Sequence, residues 1–376
     1  MCERKILFIA SVYGHFAAFH IPFMRHMQDK GYEVHAAASP VDGRKEEVES
    51  AGVVCCEVPF ARSPYAPSNI KALKSLNDLL TKHHFDLVHA HTPTAAFLGR
   101  YLAKKTGQGP VLYTAHGFHF YQGAPWHYWL IYYNIERLAR KWTDGLIVMN
   151  SEDYRNAQRM GFEPEKNLFL VHGVGVDLAR YAPESPSERY VRAELGLSED
   201  DVVVTCVGEL NANKNQSLLL LAWKELSSKV HNCHLLVVGS GQMSAHLRNT
   251  VQKENIPRVY FLGYRDDVPN ILLESDVAVL PSKREGLPRF VMEAMAAGKP
   301  VVATNVRGSR DLVNHGRTGF LVELGDVRGL AAALERLARD PGLRASMGAV
   351  GREKIRDYSL ERVLAEMENI YERYLP

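Results

Sequence analysis

Residues 281–304 read PSKREGLPRFVMEAMAAGKPVVAT, and this segment predicts a turn, a helix and a strand in close succession. An apolar run at 277–280 precedes it and is typical of a buried strand. Pro288 is placed to open the helix, and Gly298 is placed to end it. The apolar run at 301–303 then predicts the next buried strand. A strand, a helix and a strand in this order are typical of a Rossmann-like α/β sheet.

Two carboxylates bracket this segment: Glu285 in the turn and Glu293 about two turns inside the helix. Backbone N–H groups and the positive dipole end at a helix start bind phosphate. Carboxylates beside such a start can accept hydrogen bonds from sugar hydroxyls. We therefore predict a nucleotide-sugar site, with the diphosphate at the helix start and the hydroxyls on the glutamates. An ordinary surface turn followed by an exposed glutamate is the alternative that this spacing leaves open.

The rest of the chain predicts two Rossmann-like domains. Its length of 376 residues exceeds what one compact core usually holds. Apolar runs alternate with helical segments in both halves, and the polar segment 180–189 is typical of a linker. We predict an N-terminal domain over residues 1–179, a C-terminal domain over 190–355, and a final helix at 356–376 that packs back on the N-terminal domain. Single long helices are also predicted at 16–30 and 125–142.

Residues 281–304, which we call the organising segment, carry an E-x7-E spacing, an EGLP turn and an A-x-G-x-P-V-V run. With these motifs the chain resembles the retaining glycosyltransferases of family four, and the resemblance runs through nearly the whole chain. It implies the α/β GT-B fold, in which two Rossmann-like domains face a central cleft. It also implies transfer of a sugar from a nucleoside-diphosphate sugar, with UDP as the expected nucleotide and with retention of the anomeric configuration. The first domain would lie on the acceptor side, and the second would bind the donor.

The resemblance also implies roles for particular residues of the donor site. Lys214, in the first loop of the second domain, would bind the donor diphosphate together with the amides of Gly286 and Leu287. Glu285 would contact the sugar hydroxyls, and Glu293 would hold the ribose. A solvated loop lysine is the alternative for Lys214.

Three other positions are predicted to belong to the donor site. One departs from the family pattern, and two are glycines. Many family members have arginine where this chain has Glu209, so one expected cation is absent, and Arg284 or Arg289 is predicted to replace it. Gly14 and Gly239 are predicted to let the backbone turn towards the donor. A plain turn glycine is the alternative for Gly14.

His116 follows the predicted strand at 111–114, at the sheet edge where ligands bind in open α/β folds. By resemblance it is the active-site histidine, and a neutral imidazole there could hydrogen-bond a donor hydroxyl or the acceptor. A core histidine with internal partners is the alternative. His119 and His127 lack a carboxylate or cysteine set at ligand spacing, and the chain has no D-x-D motif. We therefore expect no metal site, no cofactor and metal-independent transfer.

Charge along the chain predicts where the protein is located. Residues 62–105 carry seven basic side chains against two acidic ones, a net charge of +5, which would attract anionic lipid. A solvated helix face is the alternative. The overall charge of only +2 indicates no nucleic-acid partner. No apolar run approaches transmembrane length, so we expect a cytoplasmic protein that binds the inner face of the cell membrane peripherally.

Residues 113–142 resemble the bacterial branch of the family that extends polyprenyl-linked oligosaccharides or builds capsule and exopolysaccharide. A polyprenyl-diphosphate-linked saccharide or a growing polysaccharide is therefore the expected acceptor. Apolar and aromatic residues recur there at helical spacing, which favours a core face over membrane contact; they are Trp126, Trp129, Leu130, Tyr133 and Leu138. Two other functions remain open, a GT-B-shaped nucleotide-sugar epimerase and a non-catalytic sugar-binding protein.

Overall fold

The computed structural model describes residues 4–61, 63–182 and 191–375. They form two compact units, one of Met1–Val174 with Glu361–Pro376 and one of Gly175–Leu360. Arg62 of the predicted basic segment and most of the predicted linker at 180–189 lie outside the described residues.

The first unit contains a parallel sheet of seven strands. They are β1 (Lys5–Val12), β2 (Glu33–Ser39), β3 (Val54–Glu57), β4 (Leu87–His91), β5 (Val111–Ala115), β6 (Gly145–Val148) and β7 (Leu168–Leu170). Their spatial order is β3-β2-β1-β4-β5-β6-β7. The central strands β1, β4 and β5 are buried almost throughout, because helices cover both faces of a parallel sheet.

The helices of this unit follow the strands in sequence. They are α1 (Tyr13–Phe19), α2 (Ile21–Asp29), α3 (Lys45–Glu49), α4 (Ser68–Lys82), α5 (Pro93–Lys105), α6 (Trp126–Tyr128), α7 (Asn134–Ala139) and α8 (Ser151–Arg159). A π-helical turn at Trp129–Tyr133 joins α6 to α7, and a 3-10 turn at Arg140–Trp142 follows α7.

Two predicted helices were wrong in detail. The helix predicted at 16–30 begins earlier, at Tyr13, and breaks at His20 into α1 and α2. Pro22 explains the break, because it has no N–H for the helical ladder and its ring crowds the preceding turn. The helix predicted at 125–142 is interrupted by the π-helical turn, which inserts one extra residue per turn and rotates the following side chains.

The second unit contains a parallel sheet of six strands in the order β10-β9-β8-β11-β12-β13. They are β8 (Val202–Val207), β9 (Cys233–Val238), β10 (Val259–Gly263), β11 (Val277–Leu280), β12 (Val301–Thr304) and β13 (Gly319–Val322). The organising segment therefore supplies the β11–helix–β12 portion of this sheet, as its sequence predicts.

Helices pack on this second sheet. They are α9 (Val191–Leu195), α10 (Gln216–Ser227), α11 (Ser244–Lys253), α12 (Val268–Leu273), α13 (Arg289–Ala296), α14 (Ser309–Leu312), α15 (Val327–Arg339) and α16 (Pro341–Lys354), with 3-10 turns at Leu178–Tyr181 and Ile355–Tyr358. The last helix is α17 (Leu360–Glu372), and its residues from Glu361 onward belong to the first unit. There the hydroxyl of Tyr371 lies 2.8 Å from Nδ1 of the buried His89.

Strand order determines where each unit can bind a ligand. In the first sheet the order changes direction between β1 and β4, and in the second between β8 and β11. The connections after such a pair of strands leave in opposite directions, which opens a crevice at the carboxyl ends of the strands. The polar side chains of the candidate site lie at these two crevices.

Candidate active site

Two loops form the crevice of the second unit: residues 208–215 after β8 and residues 281–288 after β11. Backbone and amide groups tie them together. The Lys283 N–H donates to the Asn213 carbonyl at 2.8 Å, and the Asn213 side-chain amide donates to the Arg284 carbonyl at 3.0 Å. The predicted phosphate loop and the predicted EGLP turn are therefore a single structural element.

Lys214 and Glu285 meet at this junction. The Lys214 ammonium lies 2.7 Å from a carboxylate oxygen of Glu285, and the two side chains are 23% and 10% exposed. The Lys214 N–H also donates to the Asn211 side chain at 2.9 Å. Sequence reasoning assigned these two residues to the phosphate and the sugar separately, and the structure joins them as one partly buried ion pair.

Glycines allow the backbone to pack tightly beneath this pair. Gly239 has a φ of +135°, and a Cβ there would lie 2.0 Å from the Gly208 carbonyl oxygen. Gly308 has a φ of +76°, and its Cβ would lie 2.2 Å from the Gly286 carbonyl oxygen. Any side chain at either position would push the loops apart, so both glycines are required for the crevice geometry.

The other predicted donor residues line the same region to different degrees. Glu293 lies inside α13, 13% exposed, with Arg289 Nε 2.9 Å from a carboxylate oxygen and the Tyr181 hydroxyl hydrogen-bonded to it. Burial raises the pKa of Glu293. Arg289 is thus engaged by Glu293, which leaves Arg284 as the predicted cation nearer the turn. Glu209 is exposed, and its carbonyl accepts a hydrogen bond from the Gln216 amide at 3.1 Å.

The crevice of the first unit holds a cluster of histidines. His116 follows β5, as predicted, and its Nε2 lies 3.2 Å from Nε2 of His15 and 3.3 Å from Nδ1 of His91. His20 Nε2 in turn lies 3.2 Å from His15 Nε2. Burial lowers the pKa of His116 to about 4 and holds the pKa of the other three well below the usual value. All four rings are therefore neutral at pH 7.

A mainly apolar cavity of about 750 Å³ adjoins this cluster. His15, Phe97, Tyr132 and Ile135 are among its lining residues. Gly14 lies in the first turn of α1 rather than in a loop, and its N–H donates to the Asp42 side chain at 2.7 Å. Gly14 therefore lines the cavity with its backbone donor already engaged.

The surface beside the cavity differs from the prediction. Trp126, Leu130 and Leu138 are 75%, 59% and 47% exposed, so the core interpretation was wrong for these three residues. Trp129 and Tyr133 do pack against the core. Trp129, Leu130 and Tyr133 lie within the π-helical turn, whereas Trp126 lies before it and Leu138 after it. Trp126, Leu130 and Leu138 lie on the surface, and we call these three residues the apolar stripe.

Of the described basic side chains in residues 62–105, only some are exposed and unpaired with a carboxylate. Arg100 is 1% exposed and forms an ion pair with Glu136 at 2.9 Å, with its guanidinium 4.0 Å from the Tyr113 ring centre. Lys104 pairs with Asp144 at 2.6 Å. The exposed positive charge of the segment is therefore lower than the count of +5 implied.

Comparison with known proteins identifies the family. Residues 23–180 match the family described as Glycosyltransferase Family 4, and residues 188–354 match Glycosyl transferases group 1. EpsD of Bacillus subtilis, which is named as a glycosyltransferase, is 37% identical over 379 residues, covering 99% of this chain and 97% of that protein. The chain is a family-four glycosyltransferase.

Two further comparisons describe one similar sequence and one similar structure. An Escherichia coli enzyme named UDP-Gal:alpha-D-GlcNAc-diphosphoundecaprenol alpha-1,3-galactosyltransferase is 32% identical over 308 residues, covering 81% of this chain and 79% of that protein. The crystal structure of Anabaena HepE with UDP and glucose superposes with a TM-score of 0.80 at 20% identity, covering 99% of this chain and 100% of that one. The fold is thus GT-B, and the enzyme is a hexosyltransferase.

Sequence reasoning missed several residues at the two crevices of the glycosyltransferase. His91 ends β4 just as His116 follows β5, so the argument used for His116 applied equally to it. His15 and His20 had no such signal, because the break between α1 and α2 was not foreseen. Arg307 is 3% exposed and donates from Nε to the Glu285 carbonyl at 3.0 Å, a contact that no motif indicated.

Proposed function

We propose that this glycosyltransferase transfers a hexose from a UDP-hexose to a polyprenyl-diphosphate-linked saccharide, with retention of the anomeric configuration, in the synthesis of a cell-surface polysaccharide. The observation that carries the proposal is the Lys214–Glu285 pair at the crevice of the second sheet, 2.7 Å apart and partly buried. A cation and a carboxylate in such a place fit the diphosphate and the hydroxyls of a nucleotide sugar. The names of the Escherichia coli and Anabaena relatives, which mention UDP or a diphosphoundecaprenol acceptor, support the donor and acceptor classes.

Donor binding is proposed to exchange the partners of this ion pair. Lys214 would turn from Glu285 to the diphosphate, with the amides of Gly286 and Leu287 as further donors. Glu285 would then accept hydrogen bonds from the sugar hydroxyls. A compact ammonium at this position neutralises the charge that develops on the departing diphosphate.

The remaining donor contacts follow from the same crevice. Glu293 would accept hydrogen bonds from the ribose while Arg289 and Tyr181 hold its carboxylate in place. Position 209 carries a glutamate in place of the arginine of the family pattern. We propose that Arg307 and Arg284 supply the missing positive charge, since Arg307 already contacts the Glu285 backbone. Both arginines would favour the diphosphate over a neutral ligand.

The first unit is proposed to bind the acceptor. Its cavity of about 750 Å³ is mainly apolar, and its lining includes the exposed Tyr65 and Ile135 and the polar side chain of Glu136. The apolar stripe lies on the segment that also lines this cavity, through Tyr132 and Ile135. A saccharide on a lipid carrier needs such a combination of apolar and polar surface, and His116 is proposed to hydrogen-bond the saccharide.

A donor screen tests this function. Each nucleotide sugar is incubated with the protein, with and without a polyprenyl-diphosphate-linked sugar, and nucleotide release is measured. Release only with acceptor, and a product whose new linkage keeps the donor configuration by NMR, is the expected result. Conversion of the nucleotide sugar without acceptor would indicate an epimerase instead. Binding without any conversion would indicate a non-catalytic sugar-binding protein.

Transfer is expected to proceed without a divalent metal. Lys214 and the amides at the start of the turn would carry the diphosphate charge in place of an ion. The measurement is the transfer rate after dialysis against a chelator. A rate that falls to background and returns only with Mg²⁺ or Mn²⁺ would contradict this expectation.

The protein is expected to bind anionic vesicles through the first unit. Among the described residues no helix combines the length and apolarity needed to cross a bilayer. The exposed cations Lys71, Lys74 and Lys105 would each contribute about 1 kcal/mol near an anionic surface, and the apolar stripe would insert at the headgroup boundary. The measurement is vesicle flotation, with binding expected at low salt and release at high salt, where the Debye length falls to about 3 Å at 1 M.

Two sets of variants separate the charge from the apolar contribution. Lys71→Glu, Lys74→Glu and Lys105→Glu together are expected to abolish flotation on anionic vesicles. Trp126→Ser with Leu130→Ser is expected to weaken it at every salt concentration. The control reverses three exposed cations of the second unit, Lys253, Arg317 and Arg328, and should float like wild type. Equal flotation of all variants would show that neither feature binds lipid.

A further inference from the structure

The histidine cluster of the first unit has a geometry that internal hydrogen bonds do not explain. One ring nitrogen from each of His15, His20, His91 and His116 lies within 4.8 Å of the others. His15 and His20 belong to α1 and its end, His91 ends β4, and His116 follows β5. The cluster therefore sits at the switch point of the sheet, where open α/β folds bind ligands.

The short contacts in the cluster exceed what neutral imidazoles can satisfy. They form a chain in which His20, His15, His116 and His91 follow one another at 3.2, 3.2 and 3.3 Å. Each ring nitrogen carries either one N–H or one in-plane lone pair, so it can make one linear hydrogen bond. Four nitrogens can therefore satisfy two of the three contacts, and the contact between His15 and His116 is left without a proton to share. An acceptor of lone pairs at the centre would satisfy all of them.

His91 faces the cluster with Nδ1, which lies 3.3 Å from Nε2 of His116, so three of the four rings contribute Nε2 and His91 contributes Nδ1. We propose that His15, His20, His91 and His116 form a binding site for a divalent transition-metal ion of the Zn²⁺ class.

The distances suit that ion. Zn²⁺ binds imidazole nitrogen at about 2.0–2.1 Å, so the nitrogens of a tetrahedral site lie about 3.3 Å apart. The three contacts in the cluster already have this separation, and rotation of the rings would close the wider pairs. Neutral imidazole is the protonation state that binds metals, and it is preferred by Zn²⁺, Cu²⁺ and Ni²⁺ over Mg²⁺ or Ca²⁺.

Four protein ligands would complete the coordination sphere. A closed site of this kind is structural and leaves no position for a substrate or a water. The ion would link the end of β4, the start of the segment after β5 and the break between α1 and α2. It would also occupy Nε2 of His116, so a filled site is expected to inhibit transfer; this consequence rests on the function proposed above for His116.

Metal binding is measured without any substrate. The full-length protein is stripped with a chelator and titrated with Co²⁺, whose tetrahedral complexes absorb visible light far more strongly than the hydrated ion. We expect an intense band at one equivalent, displaced by one equivalent of Zn²⁺ and not by excess Mg²⁺. Zn²⁺ should also raise the unfolding temperature of the stripped protein, because it binds the folded state.

Matched variants identify the ligands. His20→Gln and His91→Asn are expected to weaken Zn²⁺ binding at least about tenfold, since even changes outside the ligand set cost 10–100-fold. The control His127→Ala removes an exposed histidine of the same unit and should bind like wild type. Thermal unfolding of each stripped variant shows whether it is folded. The Co²⁺ titration of the stripped wild-type protein does not depend on any variant.

The outcomes separate this site from the proposed activity. No tetrahedral Co²⁺ band in folded wild type, or equal loss in His127→Ala, would overturn the metal site and leave the transfer proposal intact. Zn²⁺ that binds the cluster and inhibits wild type supports both ideas. Zn²⁺ that binds without inhibiting supports the metal site and overturns the role of His116 in transfer.

Discussion

Replacing Glu285 with glutamine is expected to lower the turnover number by about a hundredfold, which corresponds to about 3 kcal/mol of transition-state stabilisation. Glu285 is 10% exposed and lies 2.7 Å from the Lys214 ammonium, so its charge acts where water is largely excluded. Glutamine keeps the shape of the side chain and removes the charge. A charge-assisted hydrogen bond from the reacting sugar to Glu285 strengthens as positive charge develops on that sugar. The neutral amide of glutamine would not stabilise that charge to the same extent.

Donor affinity should change far less than turnover in this variant. Lys214 keeps its charge in Glu285→Gln and is released from its carboxylate partner, so it remains available to the diphosphate. The measurements are the turnover number at saturating donor and the dissociation constant of the nucleotide product. Lys214→Met should instead lower nucleotide affinity markedly, more than it lowers turnover.

A matched control removes a carboxylate of the same unit that has only surface partners. Glu335 on α15 is 25% exposed and pairs with Lys229, which follows α10, and with Arg339 at the end of α15. Glu335→Gln should leave turnover unchanged. Thermal unfolding would confirm that Glu285→Gln is folded. Near-normal turnover in folded Glu285→Gln would remove this residue from the catalytic set.

The second large effect concerns stability. Glu136→Gln is expected to destabilise the first unit by about 3–5 kcal/mol, because it leaves the Arg100 guanidinium charged and buried without its partner. Arg100 is 1% exposed and lies 2.9 Å from Glu136. Within the described residues its other hydrogen bonds go to the Ala96 carbonyl and the Thr143 hydroxyl. Neither of these two acceptors carries a charge that could replace the carboxylate.

Denaturant unfolding monitored by tryptophan fluorescence measures this effect. Three of the four tryptophans, Trp126, Trp129 and Trp142, belong to the first unit, so the signal reports mainly on that unit. The control Glu163→Gln breaks the exposed pair with Lys166, at 56% and 69% exposure, and should change the free energy of unfolding by less than about 1 kcal/mol. Equal effects of the two variants would show that the buried pair contributes no more than a surface pair.

Much of the fold was determined by the sequence alone. Apolar runs predicted nearly all strands, because parallel strands buried on both faces need continuous hydrophobic residues. The turn at Gly286, the helix opening at Pro288 and the strand after Pro300 were each specified by local backbone chemistry. The resemblance predicted Glu285 and Lys214 as donor-site residues, and each lies in a loop that follows a strand of the second sheet.

The tertiary structure alone decided which of these groups meet. Lys214 and Glu285 are 71 residues apart in the chain, and only the adjacency of β8 and β11 brings them into contact. His15 and His116 are 101 residues apart, and only the switch point between β1 and β4 collects them with His91. Arg100 was counted as surface charge because sequence shows charge and not burial, and its partner Glu136 is 36 residues away. Strand order, which depends on the packing of the whole chain, is the property that local sequence could not specify.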